Sequence, residues 1–153
     1  MKNYFVPDYM FTGFWEITPE FIKSLGVRAI VLDIDNTLVT YGMAEPTEEV
    51  IRWVRGMQEA GLLLSIASNN HAPRVEKFNE KLGLFTMCES GKPSRKAVKN
   101  ACAKFGTKPQ ECAVIGDQIF TDVLCASRAG AVSILVTPLP YDENLFFRFK
   151  RVC

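Results

Sequence analysis

AIVLDIDNTLV, residues 29–39, carries four apolar residues into Asp33 and places a second carboxylate, Asp35, two positions on. The run Ala29-Ile30-Val31-Leu32 is short, continuous and β-branched at its centre. That pattern predicts a strand buried on both faces within a parallel sheet. Side chains alternate along a strand, so Asp33 and Asp35 start on the same side. Two like charges held close repel, and burial makes the repulsion worse unless a cation or a shared proton compensates. Taken alone, the pair suits a solvated strand end equally well, so its meaning depends on the rest of the chain.

Outward from this stretch, strand and helix patterns alternate. Leu62 to Ala67 is a second apolar run and ends in Ser68-Asn69-Asn70. Leu84 to Met87 is a weaker third, Cys112 to Ile115 a fourth ending in Gly116-Asp117, and Ala131 to Val136 a fifth. Between them, Thr47 caps a helix that opens with Glu48 and Glu49, where negative charge suits the dipole. Val50, Val54 and Met57 mark its inner face, and Gly61 ends it. Pro73 opens a helix through Val75, Phe78 and Leu82. Lys92-Pro93-Ser94 starts another through Val98, Cys102 and Phe105, closed by Gly106, and a last one runs from about Thr121 to Ala129. The expected architecture is α/β: a single doubly wound parallel sheet of about five strands with helices on both faces.

Composition narrows the classes. At 153 residues the chain makes one domain with a sizeable core. A net charge of +1 gives no global field to draw nucleic acid, so none is expected as a partner. Cys88, Cys102, Cys112, Cys125 and Cys153 form no CxxC pair and are odd in number, which predicts free thiols in a reducing compartment. No apolar run reaches the ~18 residues of a membrane span. The start, MKNYFVPDYM, lacks the apolar core of a secretory signal. The expected location is cytoplasmic.

In open α/β sheets, ligands sit outside the carboxyl ends of the strands. That edge should gather Asp33, Asp35, Ser68, Asn69, Lys92, Asp117 and Asp122, four carboxylates against one lysine. A phosphate could not approach such a charge unaided, whereas a hard divalent cation with oxygen ligands resolves it. Ser68, Asn69 and Lys92 offer hydroxyl, amide and ammonium donors to phosphoryl oxygens. The sole histidine, His71, reads as a loop residue.

DIDNTLV, the SNN after the second strand, KP ahead of a helix and GDQIFTD, in that order, resemble the four motifs of the haloacid dehalogenase (HAD) superfamily of phosphohydrolases. With ITPEFIKSLGVRAIVLDIDNTL, they resemble its subfamily IIIA, the YqeG-like group related to phosphatidylglycerophosphate phosphatases. The resemblance implies strand order 3-2-1-4-5 and a Mg²⁺-dependent phosphomonoester hydrolase. Asp33 would be the nucleophile, forming an aspartyl-phosphate, and Asp35 the general acid and base. Ser68, Asn69 and Lys92 would bind the phosphoryl group, with Asn69, Asn36 and Thr37 shaping the loop around it. Asp33, the backbone carbonyl of Asp35, and Asp117 would hold Mg²⁺, with Thr37 and Asp122 behind them. A phosphoacceptor signalling module is the alternative from another class. It shares the acidic cluster, but has no use for an acid/base two residues after its aspartate.

The 35 positions from Asp33 to Ser68 and the 24 from Ser68 to Lys92 leave no room for a cap domain. The chain then divides into an aromatic-rich strap (1–28), a catalytic core (29–137) and a C-terminal turn and helix (138–153). An open site calls for an oligomeric partner or a large substrate, such as a lipid headgroup, with phosphatidylglycerophosphate the first expectation, met by peripheral contact at the inner face of a membrane, or a phosphorylated macromolecule; a small phosphorylated metabolite is the further alternative. Seven of the 17 aromatics lie in the first 21 residues, and these either pack over the domain or form a binding surface. The tail Phe146-Phe147-Arg148-Phe149-Lys150-Arg151 is either a core helix or a lipid contact.

Overall fold

The computed structural model describes residues 3–139; the expected C-terminal helix, the aromatic-basic tail and Cys153 lie outside the described residues. The chain order is β1 (Tyr9–Phe11), α1 (Pro19–Ser24), β2 (Ala29–Leu32), α2 (Glu48–Glu59), β3 (Leu63–Ala67), α3 (Ala72–Asn79), β4 (Phe85–Met87), α4 (Lys96–Phe105), β5 (Cys112–Gly116), α5 (Leu124–Ala129) and β6 (Val132–Val136). Short 3₁₀ turns at Phe14–Glu16 and Pro109–Glu111 and a π-helical turn at Ile119–Val123 complete it.

One all-parallel sheet runs β1-β6-β5-β2-β3-β4. Its last five strands have the expected order. The sixth is a correction: Tyr9–Phe11, within the expected strap, pairs with β6 at one edge. Asp8 holds it there, its Oδ2 accepting from the Ser133 N–H at 2.9 Å and its N–H donating to Ser133 Oγ at 2.8 Å.

Alternation along β2 divides two cores. Ile30 and Leu32 face one side, with Val50, Val54, Met57, Val75 and Phe78 from α2 and α3. Ala29 and Val31 face the other, with Ala97, Val98 and Ala101 of α4 and Cys125 and Ala126 of α5. All four strand residues are buried, as a central parallel strand requires. The strap closes the first core: Phe14 and Ile17 are buried, and the Trp53 indole N–H donates to the Ile17 carbonyl at 2.9 Å.

Local signals explain the helix starts. Thr18 and Thr47 each accept a backbone N–H three residues on, and Pro19 sits at the first position of α1. One start differs from expectation. α4 begins at Lys96, and Lys92-Pro93 lies in the preceding loop with a cis peptide bond. Between Asp33 and Ser68 the chain forms a loop and α2, and between Ser68 and Lys92 it forms α3 and β4, so no cap is inserted there.

Candidate active site

β2 pairs with β3 on one side and β5 on the other, and the chain winds outward in opposite directions from this point. A crevice at the carboxyl ends follows from that reversal. Asp33 follows β2, Ser68 follows β3 and Asp117 follows β5. The Asp33 N–H bonds the Ile115 carbonyl at 3.1 Å, which fixes the nucleophile candidate beside β5.

Asp33, Asp117 and Asp122 each offer a carboxylate oxygen, all within 4.8 Å of one another. Lys92 Nζ lies 3.0 Å from Asp33 Oδ1 and 2.7 Å from Asp122 Oδ1. The Thr37 hydroxyl, fully buried, stands 3.2 Å from both Asp33 Oδ2 and Asp117 Oδ1, where its single hydrogen serves either. Asp122, expected behind the metal ligands, thus shares one cluster with Asp33 and Asp117. Gly116 makes this geometry accessible, since a Cβ there would overlap the Asp122 carboxylate.

The electrostatics show an under-neutralised cluster. Burial, reinforced by the Asp33 and Asp122 charges, pushes Asp117 up to about 8. Burial and then Asp33 push Asp122 up to about 6, even though the Lys92 ammonium pulls the other way. Burial works against the charge on Lys92, but the Asp33 and Asp122 carboxylates outweigh it and hold its pKa above the ordinary value. Three carboxylates against one ammonium leave excess negative charge on oxygens close enough to share an ion. This all-oxygen set fits a hard divalent cation such as Mg²⁺.

Asp35 stands apart from that cluster. Its carboxylate takes Arg74 Nη2 at 2.9 Å on Oδ1 and the Asn70 side-chain amide on Oδ2. Neither partner was expected from the sequence. Ser68 is buried, and its Oγ accepts the Asn70 N–H at 3.0 Å, which leaves the hydroxyl hydrogen to donate to a ligand. Asn69 clamps the loop that carries Lys92. Its Oδ1 accepts from Lys92 N–H and Ser90 Oγ at 3.1 Å each, and its Nδ2 donates to the Lys92 carbonyl at 3.1 Å. His71 caps α3 without a side-chain bond and pairs at the surface with Glu89, as a loop residue would.

Residues 89–138 match the HAD-hydrolase-like family model. The probable phosphatase YqeG of Bacillus subtilis is 38% identical over 99% of this chain and 88% of its own length. The chain is a phosphatase of the HAD superfamily. Membership sets aside the signalling-module alternative. The phosphatase also resembles phosphatidylglycerophosphate phosphatase 1 of Arabidopsis thaliana, 26% identical over 86% of this chain and 39% of that protein. Its fold matches the cobalt-bound deoxy-D-mannose-octulosonate 8-phosphate phosphatase of Haemophilus influenzae with a TM-score of 0.59 at 16% identity, over 76% of this chain and 81% of that one.

Proposed function

We propose that this HAD phosphatase hydrolyses a terminal phosphomonoester with Mg²⁺, and that its substrate is phosphatidylglycerophosphate. The observation that carries the reading is the setting of Asp33, whose carboxylate lies between the Lys92 ammonium and the Thr37 hydroxyl and beside two further carboxylates. In this reading Asp33 attacks phosphorus and becomes an aspartyl-phosphate while the ester alcohol leaves. Asp35 gives the leaving oxygen its proton, then removes one from the water that attacks the phosphoryl group and regenerates Asp33. Lys92 and the Ser68 hydroxyl hold the equatorial oxygens, and Asn69 sets Lys92 through its backbone. Asp33, Asp117 and Asp122, with the Asp35 backbone carbonyl, are the residues that would hold Mg²⁺. When bound, the ion supplies the positive charge that lets a phosphate dianion enter this acidic site.

The surface beside the site supports an amphiphilic substrate. Ile119 and Phe120 lie between Asp117 and Asp122 and are 36% and 72% exposed. Phe5, 49% exposed, packs edge-on against Phe120 with centroids 5.7 Å apart. Exposed apolar groups at the mouth of a polar site suit a headgroup carried on acyl chains. Among the described residues no helix is long and apolar enough to cross a membrane.

The test is phosphate release from phosphatidylglycerophosphate micelles, glycerol 3-phosphate, a sugar phosphate, a nucleotide and a phosphopeptide, each with Mg²⁺ or EDTA. The lipid should have the highest kcat/KM, and EDTA should abolish turnover. A higher kcat/KM on any other class would overturn the substrate, and full activity in EDTA would overturn the metal.

A further inference from the structure

Residues 90–110 carry six lysines and arginines and no acid, on a chain whose net charge is only +1. Positive charge is therefore gathered on one part of the surface, and the remainder of the chain is net negative. α4 runs through this stretch and divides it by burial. Ala97, Val98 and Ala101 face the core, while Arg95, Lys96 and Lys99 stand exposed on the other side. Among the described residues none of these three cations makes an ion pair or a side-chain hydrogen bond. α4 joins β4 to β5 in an all-parallel sheet, so its first turn lies at the carboxyl edge, on the side of the catalytic crevice.

At that end Arg95 and Arg128, with Ser94 and Tyr4, line a hollow of about 440 Å³. Arg128, from the last turn of α5, is likewise exposed, and unpaired among the described residues. Two guanidiniums on one hollow, with no carboxylate among the lining residues, repel each other, and an anion relieves the repulsion. Ser94 Oγ accepts the Lys96 N–H at 3.3 Å, so its hydrogen is left to donate. The residue after Tyr4 is Phe5, which packs on Phe120, so the hollow adjoins the exposed aromatic pair that flanks the site. Cations beside exposed aromatics fit an anionic bilayer, where the rings enter the headgroup layer and the cations take lipid phosphates. A soluble polyanion would meet the cations and leave the rings in water. We propose that the outer face of α4, with Arg128 and the Phe5–Phe120 pair, docks on an anionic lipid bilayer, and that the hollow between Arg95 and Arg128 holds the phosphodiester of one lipid headgroup. Docking in this way turns the crevice toward the bilayer and the net-negative remainder of the chain away from it. The proposal goes beyond the phosphatase reading: the lipid bound here is a bystander, not the substrate, and its binding needs no phosphomonoester.

The experiment is sedimentation of the full chain with phosphatidylcholine vesicles, alone or carrying roughly 30% phosphatidylglycerol, with no substrate present. Wild type should pellet with the mixed vesicles, stay in solution with phosphatidylcholine alone, and come off at high salt, where exposed charges are screened. Each cation at such a surface is worth about fivefold in partitioning. The double variant Arg95→Gln with Arg128→Gln should therefore bind about 30-fold more weakly, and Arg95→Lys with Arg128→Lys should recover most of the loss. Phe5→Ser with Phe120→Ser should weaken binding about 10-fold or more, by taking two rings out of the headgroup layer. Thermal unfolding checks that the variants fold. Wild type that binds both vesicles equally or neither, or a glutamine or serine variant that binds as wild type does, would overturn the proposal. So would equal retention by a DNA duplex at the same salt, which would assign the face to polyanions in general. Should a variant fail to fold, the lipid and salt dependence of wild type still decides. Because the vesicles carry no phosphomonoester, failure here leaves the phosphatase reading standing.

Discussion

Asp117→Asn should make the metal-free protein more stable and inactive at once. Asp117 ionises near 3.8 in an unfolded chain and at about 8 in the folded site, because burial and the neighbouring Asp33 and Asp122 charges oppose its carboxylate. The folded protein therefore keeps a proton that the unfolded chain gives up. Stability is full below pH 3.8 and is lost as pH rises through about 8, at up to about 1.4 kcal/mol per pH unit. The whole interval bounds the destabilisation at about 6 kcal/mol, and solvent on the open side of the crevice reduces this to the order of 2–3 kcal/mol. Asparagine removes the charge and keeps an oxygen for the Thr37 hydroxyl, which lies 3.2 Å from Asp117 Oδ1. In EDTA at pH 8 the variant should melt about 5–10 °C above wild type, the shift expected for that energy in a chain of this size. The gap should narrow steadily as pH falls from 8 toward 4, and it closes only below about 3.8, where Asp117 is protonated in both the folded and the unfolded state. Scanning calorimetry across pH 4–8.5, with EDTA or with Mg²⁺, measures it. Mg²⁺ should raise the wild-type Tm most at high pH and do little for the variant. An asparagine variant no more stable than wild type at pH 8, with a flat wild-type Tm across the range in EDTA, would refute the claim that Asp117 sits under-neutralised.

Lys92→Met should destabilise by about 3–5 kcal/mol in chemical denaturation, since it strips the cation from the buried Asp33 and Asp122 carboxylates. Part of that loss should return on adding Mg²⁺, while phosphate release stays absent. Gly116→Ala should cost about 1–3 kcal/mol through overpacking against Asp122. It should also weaken the Mg²⁺-dependent rise in Tm, because Asp122 must move away from Asp33 and Asp117. An alanine variant with wild-type Mg²⁺ response would show that the close approach is not needed.

Much of this site is legible because its signals are local. Asp33, Ser68 and Asp117 each follow an apolar run that can only be an inner strand, so topology carries them to one edge. The Thr18 and Thr47 caps are likewise contained within a few residues. What escaped depends on distant partners. Tyr9–Phe11 is too short, and too exposed at Met10, to announce a strand; its place is set by Asp8 bonding Ser133, 125 positions away. Arg74 looks like any exposed arginine on a helix face until folding brings Asp35 to it across 39 positions. The particular bonds that Asn69 makes to the Lys92 backbone span 23 positions, and no local signal specifies them. The KP pair reads as a helix start, yet the same Asn69 bonds hold Lys92 in a loop and α4 waits until Lys96.

The central claim is that phosphorus passes through Asp33, and a rapid-quench trap of the intermediate tests it most directly. The enzyme is mixed with Mg²⁺ and excess substrate, quenched in acid within the turnover time and reduced with borohydride, and its peptides are read by mass spectrometry. The account predicts conversion of Asp33, and of no other carboxylate, to homoserine, with the signal absent in Asp33→Asn. Substrate turned over at full rate with Asp33 unmodified, or the label found on Asp35, Asp117 or Asp122, would contradict it.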